Sequence, residues 1–203
     1  MNIKKLLWAV LAGFVTVTAV LAGRVFMSAG AVVSQIVPVG RSVGNPGASI
    51  KVVEYTDFQC PACAKASGVM HEEVVRNAGK ILLELKYFPL PMHKNARRAA
   101  VAAECALAQG KFWLMEKVLF SSQKSWADLA NPDDYFLSLS RGIGCDDLKM
   151  MRCMSDHTVV ERIDKDVVEG KSRGVAATPT FFINGTMVVG AQALQKAIAE
   201  GVK

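Results

Sequence analysis

The sequence predicts an α/β fold in which a β-α-β half and a β-β-α half are separated by a long helical insertion. The first half is indicated by Ile50 to Ser67, where an apolar, β-branched run passes through a tight turn into a helix-favouring stretch. From His93 to Lys171 the chain has several helical segments and no convincing strand. The second half is indicated by Asn184-Gly185 between two strand-like runs, which is the strongest short hairpin signal.

The first 31 residues have the layout of an export signal. A basic head with Lys4 and Lys5 precedes an uncharged stretch from Leu6 to Gly23, and Arg24 follows. A removable signal has an apolar core of about 7–15 residues, whereas a membrane span needs about 17–25. Residues 1–31 are therefore predicted to be either a signal peptide or a signal-anchor. In both cases the rest of the chain is exported.

The exported part begins with a linker rich in glycine and proline, residues 32–49, in which we expect one short strand at Ser34 to Val37. Residues 50–91 form the β-α-β half. Its second strand, Ile81 to Phe88, is expected to run parallel to the first, with the helix as a right-handed crossover.

Residues 92–172 are predicted to be the helical insertion, because a segment of roughly 80 residues is too long for a bare connection. Residues 173–203 complete the fold with strands at Thr180–Ile183 and Thr186–Val189 and a helix at Ala191–Val202. Five helical segments are predicted in the insertion: Asn95–Gln109, Phe112–Ser121, Pro132–Arg141, Asp146–Met154 and Thr158–Ser172.

Two cysteines, Cys60 and Cys63, form a Cys-x-x-Cys motif where the first strand turns into its helix. Pro61 suits the first helical turn, so Cys60 lies at the positive end of the helix dipole, which favours a thiolate. Cys63 shares its helical face and is close enough to attack a mixed disulfide formed by Cys60. The motif therefore predicts a dithiol that cycles with a disulfide. Half of a zinc site and an inert structural disulfide are the alternatives.

A single carboxylate, Glu54, interrupts the apolar strand that leads into the cysteine turn. If it is buried there, its pKa is raised and it can exchange a proton with Cys63. The alternative is a strand residue whose carboxylate reaches solvent. Lys86 is considered as a partner across the adjacent strands, although a surface lysine is the simpler interpretation. Asp57, near the turn, is expected to be exposed or to cap the helix.

Taken together, these motifs resemble the DsbA-like branch of the thioredoxin superfamily. The similarity covers roughly residues 34–203, and its motifs are specific jointly rather than singly. It rests on the following stretches: Cys60-Pro61-Ala62-Cys63 with an acid six residues earlier, Phe88-Pro89-Leu90 with His93, Gln109-Gly110-Lys111-Phe112-Trp113, and Thr178-Pro179 before the hairpin.

The resemblance implies a thioredoxin fold and a role for each matching residue. Cys60 would be the nucleophile with a depressed pKa, and Cys63 the more buried resolving thiol. Pro179 would be cis and pack against the disulfide, leaving the backbone of Thr178 to bind an extended substrate segment as an added strand. Glu54 occupies the position of the buried acid of the family.

Three further cysteines fall in the insertion, and the resemblance implies a second, non-catalytic disulfide there. We predict that it joins Cys105 to Cys153 and leaves Cys145 free, although three thiols allow three pairings. A zinc site is the rival interpretation, but its two halves are far more widely separated than is usual for zinc. That site would use Cys60, Cys63, Cys153 and His157.

The function implied is an exported thiol–disulfide oxidoreductase that introduces disulfides into folding exported proteins. It would act as a monomer in the periplasm or at the outer face of the inner membrane, without a cofactor or metal, and a membrane redox partner would reoxidise it. The net charge is +6, but the sequence has no basic run or interleaved aromatic stripe, so nucleic acid is not predicted as a partner.

One residue of the motif, Ala62, departs from the pattern of strong oxidants in the family, many of which have a histidine whose charge stabilises the thiolate. Isomerase or reductase activity is therefore an alternative, although residues 32–49 are too short for the dimerisation domain of isomerase relatives. A further alternative is a membrane-tethered assembly factor in which the dithiol is regulatory.

Overall fold

A mixed five-stranded sheet forms the centre of the molecule. The computed structural model describes residues 38–201, and within them the strand order is β1-β3-β2-β4-β5. β2 and β3 are parallel, and the other neighbouring pairs are antiparallel. The strands are β1 (Ser42–Gly44), β2 (Ile50–Thr56), β3 (Ile81–Tyr87), β4 (Thr180–Ile183) and β5 (Thr186–Val189).

The same residues, 38–201, form eight helices, of which six lie between β3 and β4. Helix α1 (Pro61–Arg76) is the crossover between the parallel strands, and α8 (Ala191–Gly201) closes the described chain. The six helices of the insertion are α2 (Ala96–Leu107), α3 (Phe112–Ser121), α4 (Gln123–Trp126), α5 (Asp133–Gly142), α6 (Asp147–Met154) and α7 (His157–Ser172).

The two faces of the sheet are covered by different elements. Alternate β2 residues beginning with Ile50 and Val52 face α1 and α8, where they pack with Met70 and Leu194. On the opposite face of the sheet, Tyr55 packs in a second apolar cluster to which α7 also contributes. The insertion helices pack around the wholly buried rings of Trp126, Phe136 and Phe112, in a core that also includes Tyr87 of β3 and the two cysteines at the start of α1.

The predicted α/β fold and its order of β-α-β, helical insertion and β-β-α are confirmed. The sequence reading missed the short helix α4, and it did not predict β1. The strand expected at Ser34 to Val37 lies outside the described residues, as does the export segment 1–31. Within residues 38–201, no helix is both long enough and apolar enough to cross a bilayer.

Candidate active site at the Cys60–Cys63 dithiol

The first turn of α1 holds the two cysteines in different environments. Cys60 is the residue that precedes the helix, and Pro61 occupies the first helical position, where its missing N–H is no loss. The Cys60 carbonyl accepts from the Cys63 N–H at 3.1 Å, so the turn is closed. Cys60 retains 7% of its surface exposed, whereas Cys63 is completely buried. The structure describes the pair as a dithiol.

The two thiols have opposite pKa shifts. The pKa of Cys60 is lowered to about 5, chiefly by the side-chain hydrogen bond from Cys63 and further by the backbone at Cys63 and Ala62. These donors outweigh the effect of burial, which acts in the other direction. The pKa of Cys63 is raised well above its ordinary value, first by burial and then by the neighbouring Cys60. At neutral pH, Cys60 is therefore a thiolate and Cys63 a protonated thiol.

A loop from the far half of the chain lies against Cys60. The Thr178-Pro179 peptide bond is cis, and the Cys60 Sγ is 3.5 Å from the Thr178 carbonyl oxygen. Within the described residues, the Thr178 hydroxyl is buried without a hydrogen-bond partner. The structure thus brings the Thr178 carbonyl to the Cys60 sulfur, with the cis Pro179 next to it in the chain, as the resemblance implied.

A carboxyl group lies beneath the dithiol on β2. Glu54 is 2% exposed, and its pKa is raised to about 8, mainly by burial and then by the nearby carboxylate of Glu116. Thr56, two residues along the same strand face, lowers the pKa of both Glu54 and Cys63. Glu54 Oε1 has no hydrogen-bond partner among residues 38–201. At this position the neutral acid can give a proton to a thiolate, and its carboxylate form can take one from a thiol.

The suggested pairing of Lys86 with Glu54 is wrong. The register of the parallel strands places Lys86 opposite Tyr55, and Glu54 opposite Leu85. Since successive strand residues point to opposite faces, Lys86 lies on the far side of the sheet from Glu54. It is largely buried there and bonds to Glu169 of α7.

The expectation that Asp57 is exposed or caps a helix is also wrong, because its side chain is buried. Its two oxygens accept the N–H groups of Gln59 at 2.7 Å and Leu90 at 2.8 Å, and His93 Nδ1 lies 2.7 Å away. The backbone N–H of Asp57 points to Cys63 Sγ at 3.5 Å. Asp57 thus joins the turn before the dithiol to the segment after β3, a role for which a lone aspartate gives no local signal.

A disulfide joins Cys105 of α2 to Cys153 of α6, the pair that the resemblance implied. Cys145 is a buried free thiol. The rival zinc set is not available, because the Cys153 sulfur is bonded to Cys105 rather than lying near Cys60. No group of three or more potential metal ligands is assembled anywhere in the part of the chain that the structure describes.

Comparison with known proteins places the chain in a family. The family model described as Thioredoxin matches residues 37–200. The chain belongs to the thioredoxin family.

One similar protein is the Na(+)/H(+) antiporter NhaA 1 of Mycolicibacterium gilvum (strain PYR-GCK), which is 33% identical over 143 residues. This match covers 70% of the chain but 23% of the antiporter. The chain therefore spans less than a quarter of the length of this relative.

Two solved structures share the fold. BdbD from Bacillus subtilis, in its oxidised form, has a TM-score of 0.69 at 19% identity, covering 80% of this chain and 92% of that one. The alpha-DsbA1 protein of Wolbachia pipientis has a TM-score of 0.68 at 22% identity, covering 81% and 90% respectively. The fold of the chain is accordingly DsbA-like.

Proposed function

We propose that the protein is an exported thiol–disulfide oxidoreductase that introduces disulfides into folding exported proteins through Cys60 and Cys63. The observation that carries this proposal is the difference between the pKa values of the two thiols: the pKa of Cys60 is lowered to about 5 and that of Cys63 is raised. A stabilised Cys60 thiolate is a good leaving group and makes the pair a better oxidant. The Thr178-Pro179 loop beside Cys60 offers a backbone edge for an extended substrate.

The reaction begins with the Cys60–Cys63 disulfide. A substrate thiolate attacks Cys60 Sγ, the disulfide breaks, and Cys63 leaves as a thiolate that takes a proton from Glu54. A second substrate thiolate then attacks the substrate sulfur of the mixed disulfide, and Cys60 leaves as its stabilised thiolate. Two electrons pass from the substrate to the enzyme, which a membrane redox partner reoxidises.

Ala62 bears on the direction of the reaction, that is, on whether the pair oxidises or reduces its substrate. Its methyl side chain supplies no charge to Cys60, but its backbone lowers the pKa of that thiol. This backbone contribution supports oxidation without a histidine in the motif. Reductase work by the same pair would instead require a more reducing dithiol.

Export is supported by cysteine usage as well as by the predicted N-terminal segment. A buried disulfide between Cys105 and Cys153 persists in an oxidising compartment and is uncommon in a reducing one. The periplasm or the outer face of the inner membrane would also supply folding proteins as substrates.

Oxidative refolding of a reduced protein with a single cysteine pair tests the proposed function. The oxidised enzyme should accelerate disulfide formation, and Cys60→Ser should abolish the acceleration. Cys145→Ser is the matched control, because Cys145 belongs to neither cysteine pair. If the unmodified enzyme gave no acceleration, the pair would not be the oxidant, and the assembly-factor alternative with a regulatory dithiol would be favoured.

A further inference from the structure

A polar stripe runs along α1 away from the dithiol. Cys63, Ser67 and His71 are spaced four residues apart, so they lie above one another on a single helical face. Cys63 is completely buried and Ser67 is 8% exposed, while the side chain of His71 is 44% exposed. The stripe therefore leads from the resolving thiol to solvent.

A carboxylate from the insertion completes this stripe. Glu116 of α3 is 1% exposed. Ser67 Oγ donates to Glu116 Oε1 at 2.5 Å, and His71 Nε2 lies 3.1 Å from Glu116 Oε2. A buried carboxylate held between a serine and a half-exposed imidazole is connected to both the interior and the surface.

The facing strand supplies the inner end of the polar region. Glu54 and Thr56 lie on the face of β2 that is turned toward α1. Glu116 is near enough to Glu54 to raise its pKa, and His71 is near enough to lower it. Thr56 in turn influences both Glu54 and Cys63. Glu54, Glu116 and His71 are therefore close enough to influence one another's charge.

A cavity opens beside these groups. It has a volume of about 480 Å³, and its walls include Ser67, His71, Glu116 and Trp113. In the described chain, Glu54 Oε1, Thr56 Oγ1 and Trp113 Nε1 are buried without a hydrogen-bond partner. The lining of the cavity is largely apolar, but Ser67, His71 and Glu116 give it polar groups on one side. Water commonly satisfies buried polar atoms near such groups.

We propose that Glu116 and His71 are positioning residues that carry protons between Glu54 and solvent, so that Cys63 can be protonated and deprotonated in each cycle. The proposal rests on the proposed function and adds an exit route for its proton. This route passes through the helical insertion, because Glu116 lies on α3. It does not use Lys86 of β3, which lies on the other face of the sheet.

The proton balance of the cycle requires such a route. When the enzyme is reduced, Cys63 leaves as a thiolate and takes the Glu54 proton, and solvent must then reprotonate Glu54. Before the enzyme is reoxidised, Glu54 must release its proton to solvent, because only its carboxylate can take the proton of Cys63. The Cys63 sulfur then attacks the mixed disulfide, and Glu54 is again protonated. Glu54 is only 2% exposed and therefore depends on its neighbours in both directions.

The charges around His71 suit it to this exchange. The hydrogen bond to Glu116 raises the pKa of His71 above its ordinary value, and the negative charges of Glu116 and Glu54 act in the same direction. Burial and Lys117 act against them. Because the pKa of His71 is raised, its imidazole accepts a proton from solvent more readily than an ordinary histidine does, and it can pass that proton on.

Single-turnover reoxidation with oxidised glutathione isolates the proton-dependent step. The Cys60 thiolate first forms a mixed disulfide with glutathione, with rate constant k1, without needing a proton transfer. Cys63 then displaces reduced glutathione from Cys60, with rate constant k2, after losing its proton. Rapid acid quenching followed by mass spectrometry measures both constants between pH 5 and pH 9.

Two substitutions at His71 separate proton transfer from structural support. His71→Gln retains a donor for Glu116 but cannot carry a proton, whereas His71→Ala leaves space for imidazole from solution. We expect both to lower k2 about tenfold at pH 7 and to leave k1 unchanged, because direct proton transfer contributes about 100-fold or more and cavity water replaces part of it. Millimolar imidazole should restore k2 in His71→Ala. Glu116→Gln should lower k2 similarly.

The control is His157→Ala, which removes an exposed histidine at the start of α7 and should leave both constants unchanged. A wild-type k2 in His71→Gln, or no restoration of k2 in His71→Ala by imidazole, would overturn the proposal. Failure of the proposed function looks different: the unmodified protein would still show k1 and k2, because any such dithiol reacts with oxidised glutathione, but it would not accelerate the oxidative refolding of a reduced substrate. A loss of k1 in His71→Gln or Glu116→Gln would also overturn the proposed proton route, because that route plays no part in the attack by the Cys60 thiolate.

Discussion

Replacing Glu54 by glutamine should stabilise the protein at neutral pH. The pKa of Glu54 is raised from 4.5 to about 8 by burial and by Glu116. Below pH 4.5 the carboxyl is protonated in both the folded and the unfolded chain, so it costs nothing. As the pH rises toward 8, the folded chain keeps a proton that the unfolded chain releases, and the free energy of unfolding falls. Glutamine keeps the size and polarity of the side chain without this loss.

The magnitude follows from the difference between the two pKa values of Glu54. Each pH unit between them costs about 1.4 kcal/mol of stability. From pH 4 to pH 7, the advantage of Glu54→Gln over the unmodified protein should therefore grow by about 3 kcal/mol. Above pH 8 the carboxyl ionises in both states, so the advantage should level off at about 5 kcal/mol.

Chemical denaturation at a series of pH values, with both cysteine pairs oxidised, measures this advantage directly. Glu161→Gln is the control, because it removes an exposed glutamate and should change the free energy of unfolding by less than about 0.5 kcal/mol. An advantage for Glu54→Gln that stayed constant from pH 4 to pH 8 would refute the raised pKa and the role of Glu54 as proton donor.

Three other substitutions or reactions test separate parts of the structure. Alkylation of Cys60 should follow a midpoint near pH 5, as its lowered pKa requires, and a midpoint above pH 7 would contradict the stabilised thiolate. The disulfide between Cys105 and Cys153 closes a loop with a sequence separation of 48. Replacing both cysteines by serine should therefore lower the free energy of unfolding, measured in denaturant, by about 4 kcal/mol. A loss below about 1 kcal/mol would show that the disulfide contributes little. Gly170→Ala would place a Cβ 2.8 Å from the Phe88 ring and should destabilise by about 1–3 kcal/mol. An unchanged melting temperature would show that the ring can move aside.

The fold was predictable because its elements have strong local signals. The run from Ile50 into the Cys60 turn, the Asn184-Gly185 hairpin and the periodic helices of the insertion each indicate their structure within a short window. Helix α4, Gln123–Trp126, was missed because four residues are too short to show a helical period. The short edge strand β1 has only three residues and pairs with β3 alone.

The chemistry of the site was predictable only where one residue implies its own environment. Glu54 stood out because a carboxylate in an apolar strand has few alternatives to burial. Asp57 and Lys86 were misjudged because their surroundings depend on strand register and on segments distant in sequence. Ser67 and His71 did have a signal, since they follow Cys63 at helical spacing, but only the packing of α3 brings Glu116 to them.

The redox potential of the Cys60–Cys63 pair, equilibrated against glutathione at pH 7, tests the central claim most directly. A Cys60 thiol with a pKa of about 5 stabilises the reduced pair by roughly 2–3 kcal/mol, or about 60 mV, relative to ordinary thiols. We therefore expect a potential of about −210 mV or higher, clearly above the approximately −270 mV of thioredoxin. A value at or below that of thioredoxin would contradict the oxidase and favour a reductase.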